Sequence, residues 1–115
     1  MSYGPLSIYT VALASAATLT PAVVIPRSFK TIYLEFPTFS TGANIFIQGA
    51  ATTSGTYRRV YNPALNSSTV GINVFQILSA ASNGLVPIPN GLPFIKIETS
   101  EAINNGATFN IICSD

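Results

Sequence analysis

Apolar and polar residues alternate with a period of two along most of the chain, the spacing of strands with one buried face. Residues 7–14 (SIYTVALA) place Tyr9, Val11 and Leu13 on one side, and residues 22–26 (AVVIP) make a short strand ended by Pro26. In 29–36 (FKTIYLEF), Ile32, Leu34 and Phe36 share one face, with Thr31, Tyr33 and Glu35 on the other. Residues 43–49 (ANIFIQG) set Ile45 and Ile47 together, opposite Phe46. Residues 56–61 (TYRRVY) read as another strand, and 69–78 bring Val70, Ile72 and Val74 to one face. Residues 93–99 (PFIKIET) turn Ile95 and Ile97 inward and Lys96 and Glu98 outward. Residues 107–113 (ATFNIIC) close the domain through Phe109, Ile111 and Cys113. Only 76–83 (QILSAASN) has the makings of a helical turn, too short to change the class.

Turn signals separate these runs: Thr41-Gly42, Ser54-Gly55, Asn62-Pro63, Asn83-Gly84, Asn90-Gly91 and Asn105-Gly106. Asn-Gly and Ser-Gly pairs supply the positive φ that tight hairpins need. Many short strands punctuated in this way predict an all-β sandwich or barrel, and a single-domain antiparallel β-sandwich is the architecture expected. A length of 115 residues suits one domain with one core.

Composition narrows the function. Charged residues are 8% of the chain, against about 25% in ordinary soluble domains. The net charge is only +1, and a surface so weakly charged favours association. A homo-oligomer or multi-copy assembly is therefore expected. The chain has no histidine and one cysteine, so a nucleophile lacks its usual base and a transition metal its usual ligands. The acids are Glu35, Glu98, Glu101 and Asp115, too dispersed for a calcium loop. Glu35 and Glu98, both on polar strand faces, are the one pair able to converge as an acid–base couple. Against that stands the plain reading of each as a solvated or interface charge. No Gly-rich phosphate loop occurs. No enzyme activity, metal or cofactor is expected.

Cys113, at the end of an apolar strand, reads as a small buried hydrophobe outside any disulfide. The apolar stretch 11–25, with Ala14-Ser15-Ala16, imitates a signal peptide, but no Lys or Arg precedes Arg27. Thr18, Thr20, Pro21 and Pro26 also interrupt it short of the ~20 residues a membrane helix needs. It reads as strand, with no membrane association. The sequon Asn66-Ser67-Ser68 reads as a loop.

The segment Thr56–Tyr61 concentrates aromatic and cationic side chains, with Tyr57, Arg59 and Tyr61 on one strand face. Such residues can stack on bases and neutralise phosphates. Arg58 and Arg59 point to opposite faces, however, and five cations make a poor nucleic-acid footprint. Tyr and Arg are also enriched at protein interfaces. Protein-contact residues are therefore expected at Tyr57, Arg59 and Tyr61, with Tyr3 and Tyr9 behind them, and no nucleic-acid partner. Ordinary strand packing is the competing reading of each.

Two stretches carry a resemblance: residues 25–61 (IPRSFKTIYLEFPTFSTGANIFIQGAATTSGTYRRVY) and 85–112 (LVPIPNGLPFIKIETSEAINNGATFNII). Their order of Pro-led alternating strand, Gly-x-Tyr-x-x-Val strand, Phe-Ile-Lys-Ile strand and closing apolar strand resembles the small β-sandwich virion proteins of tailed bacteriophages. Those proteins decorate or cement the capsid. The same architecture is similar to jelly-roll and galactose-binding-like sandwiches. The resemblance implies a chain made in the host cytoplasm and carried on the capsid surface of the virion. Its implied partners are the major capsid protein and copies of itself. A tail, neck or fibre component and a carbohydrate-binding module directed at host glycans are the alternatives. The chain departs from sugar-binding relatives in lacking tryptophan and a cluster of charged and aromatic residues on one loop set. Residues 1–20 fall largely outside the resemblance and are expected as an N-terminal arm that adds a strand to a neighbouring subunit's sheet edge. Residues 21–115 are then the sandwich.

Overall fold

The computed structural model describes residues 6–37, 43–60, 76–77, 84–88, 91–103 and 106–115, which contain nine strands and no helix. They are β1 (Leu6–Leu13), β2 (Val23–Val24), β3 (Thr31–Phe36), β4 (Ile45–Ala50), β5 (Arg58–Arg59), β6 (Gln76–Ile77), β7 (Gly84–Pro87), β8 (Phe94–Thr99) and β9 (Ala107–Ser114). Every pairing among them is antiparallel. The first sheet has the order β1-β9-β3-β7 and the second β2-β8-β4-β5, with β6 also against β4.

The order has a simple origin. β4 pairs with β5 and β6, β3 with β7, β2 with β8 and β1 with β9. These pairings are nested, as in one long hairpin, and the hairpin is rolled so that β9 also meets β3 and β8 also meets β4. The chain thus passes back and forth between the sheets. That is the jelly-roll arrangement, one domain with a single core between two sheets.

The core follows the alternation. Ile32, Leu34 and Phe36 of β3 and Phe109, Ile111 and Cys113 of β9 face Ile45 and Ile47 of β4 and Ile95 and Ile97 of β8, all buried. Val11 and Leu13 of β1 join them. Two buried hydroxyls are satisfied. Thr20 Oγ1 accepts the Ile97 N–H at 3.0 Å and donates to the Pro21 carbonyl at 2.9 Å, and Thr99 Oγ1 donates to the Glu101 carbonyl at 2.8 Å. A buried hydroxyl without such partners would lose about 1–3 kcal/mol.

Several expectations change. Residues 6–13 of the expected arm are a strand of the sandwich, paired with β9 in unbroken register from Leu6↔Ser114 to Leu13↔Ala107. Residues 14–20 then cross between the sheets. The turn after Leu13 is closed by Ala17 N–H to the Ala14 carbonyl and anchored by Ala16 N–H to the Ile103 carbonyl. Thr18 and Thr20 bond to Thr99 and Ile97 of β8. Residues 6–20 are thus built into both sheets, because their inward side chains complete the core. The strand expected at 56–61 pairs with β4 through Arg58 and Arg59, and Tyr61 lies outside the described residues. Val70, Ile72 and Val74 also lie outside them, and Gln76–Ile77, which fall both in the strand expected at 69–78 and in the stretch able to form a helical turn, are extended against β4. β7 is an addition to the expected strands, since Gly84 and Pro87 bracket too short an apolar run to read as one.

Cys113 is fully buried, and burial pushes its thiol above the ordinary cysteine range. Thiolate is the reactive species. A thiol reagent such as DTNB is therefore expected to leave Cys113 unmodified in the native protein and to label it on unfolding. Rapid stoichiometric labelling without denaturant would contradict this packing.

Candidate protein-contact surfaces

With the inner faces consumed by the core, function falls to the two outer faces and the edges. On the second sheet, Gln48 lies opposite Arg59 of β5 on one side and Lys96 of β8 on the other, and Phe46 lies opposite Glu98. Arg59 reaches diagonally across this lattice. Its Nε donates to Glu98 Oε1 at 2.9 Å and its Nη2 to Oε2 at 2.7 Å, while Gln48 Nε2 donates to Oε1 at 2.9 Å. The guanidinium lies 4.0 Å from the centre of the Phe46 ring. Lys96 Nζ lies 4.3 Å from the Tyr57 ring centre, and the Tyr57 hydroxyl donates to the Thr53 carbonyl at 3.1 Å. The planar fork of arginine suits both the carboxylate and the ring face.

Tyr57 and Arg59 are thus brought together, but as members of an internal network. Sequence reasoning missed Phe46, Gln48, Lys96 and Glu98 as its other members. Alternation puts Phe46, Lys96 and Glu98 on outward positions, but only the β5-β4-β8 register makes them neighbours. Tyr9 points inward and packs against the core, as its phase with Val11 and Leu13 requires. Tyr3, like Tyr61, lies outside the described residues.

The hydrogen bond from Arg59 holds the Glu98 carboxyl below the usual glutamate range; partial burial opposes it and Gln48 adds to it. With the native value depressed, the pair's stabilisation is complete above the unfolded glutamate value, about 4.3. It is lost as pH falls from there through the native value. Glu98→Gln is expected to shrink the acid limb of the stability–pH profile, read as urea midpoint against pH. Arg59→Ala should cost about 1 kcal/mol at neutral pH, the sum of a partly exposed ion pair and a ring contact. An acid limb the same in Glu98→Gln as in wild type would show that the pair does not set it. Arg27 and Asp115 form a second, exposed bidentate pair at 2.6 and 3.0 Å.

The outer face of the first sheet has a different character. Register places Ile8, Ile112, Tyr33 and Pro87 in one row across all four strands. Leu6 and Leu85 flank the row at 58% exposure each, and Ile8 is 60% exposed. The adjoining row is polar: Thr10 Oγ1 donates to Asn110 Oδ1 at 2.8 Å, and Asn110 Nδ2 to Glu35 Oε1 at 2.7 Å. A shallow groove of about 460 Å³ lies beside it, lined by Glu35, Leu85, Thr108 and Asn110. The sequence signal for this face is the placement of Ile8 and Ile112 at the outward phase of their strands, where a solvated sheet would carry polar residues.

Glu35 and Glu98 lie on the outer faces of opposite sheets, so the acid–base pair allowed by the sequence is not assembled. Among the described residues, no three His, Cys, Asp or Glu side chains gather as a metal site.

The fold and these faces define a jelly-roll β-sandwich, a class used by capsid proteins, lectins and cupins alike. No family model and no curated protein matches the chain. Among solved structures it is similar to the SPBc2 prophage-derived protein YomS, with a TM-score of 0.58 and 13% identity, covering 99% of each chain. At that identity the likeness shows a shared fold.

Proposed function

We propose that this chain is a structural protein of a phage virion that binds the capsid surface as a decoration or cement protein. The observation that carries the reading is the apolar row Ile8–Ile112–Tyr33–Pro87, continuous across a four-stranded outer face and flanked by exposed Leu6 and Leu85. An exposed apolar band of this kind marks an interaction surface. Full-length likeness to a prophage-derived protein and the very low charge support the same reading. The mechanism is passive. Each copy buries apolar area at about 25 cal/mol per Å², and contacts to several subunits at once multiply weak individual affinities.

The test is copy number in purified virions by quantitative mass spectrometry. Hundreds of copies in fixed ratio to the major capsid protein support the capsid role. A dozen or so would transfer the protein to the tail, neck or fibre. Absence from the particle would overturn the virion reading and turn attention to glycan binding at the groove beside Glu35 and Asn110.

A further inference from the structure

Sheet edges expose unpaired backbone N–H and C=O groups, and proteins protect them with short strands, prolines, bulges or charges. Three of the four edges among the described residues carry such protection. β2 has two residues and lies between Pro21 and Pro26. β5 and β6 have two residues each, and both residues of β5 are arginines. β7 has four residues and ends in Pro87. β1 is the exception. Its eight residues (LSIYTVAL) include no charge and no proline, and its register with β9 is free of bulges. Among the described residues β1 pairs with β9 alone, leaving a free edge about 27 Å long at ~3.4 Å per residue.

A second observation lies beside this edge. Between β1 and β2, where the two sheets part, an apolar groove of about 580 Å³ is lined by residues that include Tyr9, Val11, Ala22, Val23, Val24 and Pro26. A strand added alongside β1 would lie beside the mouth of this groove and shield its apolar lining from water.

We infer that β1 is a self-association edge, at which two copies of this chain pair antiparallel through β1 across a two-fold axis. Length matching selects the partner. The other described edges run to four residues at most, so only a second β1 offers eight. Self-pairing is isologous and closes at two copies, where a head-to-tail contact would propagate. No like charges meet, because β1 has none. The joined sheets form one eight-stranded sheet, with the outer faces of both copies on the same side. This inference goes beyond the capsid reading and does not depend on it.

The test is sedimentation velocity and multi-angle light scattering on the full chain over a concentration series. Twice the chain mass is expected. The double variant Ile8→Lys/Ala12→Lys places lysines on two outward, exposed positions of the edge and leaves the inward face untouched. Like charges across a paired edge should weaken the dimer by about a hundredfold or more, with the circular dichroism and melting temperature of a folded monomer. Leu85→Lys, on the β7 edge of the same outer face, should leave the dimer intact. Hydrogen exchange of the wild type gives a reading that needs no variant: amides of residues 6–13 should gain protection as concentration rises. A wild-type monomer at all concentrations would overturn the inference. So would a dimer that survives the paired lysines, or one that protects other strands and leaves β1 unchanged.

Discussion

Phe109→Ala is expected to remove about 3–5 kcal/mol of folding stability, the cost of truncating a fully buried phenylalanine. Phe109 has no exposed surface and is among the largest fully buried side chains. It sits on β9, which lies between β1 and β3, and opposite Val11. Truncation removes the ring's apolar burial and leaves a cavity that the strands on either side, held by their ladders, cannot close. Domains of this size have about 5–15 kcal/mol in total, so the change takes a large share. Urea unfolding should show a lower midpoint at unchanged slope, with a fall of about 10–25 °C in Tm. A loss under about 1 kcal/mol, typical of surface substitutions, would mean that the sheets do not close on this ring.

Gly106→Ala is the second large effect, and its cause lies in the backbone. Gly106 has φ of +69°, and a Cβ there would fall 2.5 Å from the Leu13 carbonyl oxygen and 3.3 Å from the Ser15 nitrogen. Both neighbours are main-chain atoms of the turn that leads β1 out of its sheet, so neither can swing aside. The left-handed conformation costs a non-glycine residue about 1–2 kcal/mol, and displacing the Leu13 backbone raises the total to about 2–4 kcal/mol. Gly91 separates the two contributions. It has φ of +93°, but a methyl group there would meet no atom within 4 Å. Gly91→Ala should therefore cost only the conformational part, about 1–2 kcal/mol. Equal losses at the two positions in denaturant unfolding would show that the close approach at Leu13 contributes nothing.

The inner faces were legible because period-two alternation is a local property. Ile32, Leu34 and Phe36, Ile95 and Ile97, and Phe109, Ile111 and Cys113 are all inward as their phase demands. The need for glycine at 91 and 106 was legible from the Asn-Gly pairs. Residues 6–13, expected within an arm, pair with β9 of their own sheet, and an edge strand looks the same in sequence whether it completes its own sheet or a neighbour's. β7 was hidden by its brevity. At the surface, Tyr57 and Arg59 stood out by residue type, but Arg59's carboxylate and ring partners come from β8 and β4, and the cation over Tyr57 from β8. Strand pairing brings these residues together, and no local pattern carries that information.

The sequence by itself determined that this is an all-β, weakly charged domain, because alternation, turn chemistry and charge content need no knowledge of long-range pairing. Tertiary structure decided which strands are neighbours, and with that everything on the outside. Nested pairing rolled the hairpin so that, among the described residues, β1 became an edge paired on one side only. It also aligned Ile8, Ile112, Tyr33 and Pro87 in one band and closed Arg59 onto Glu98 and Phe46. Cross-strand neighbours are set by register, and register is chosen by how two whole faces bury one another.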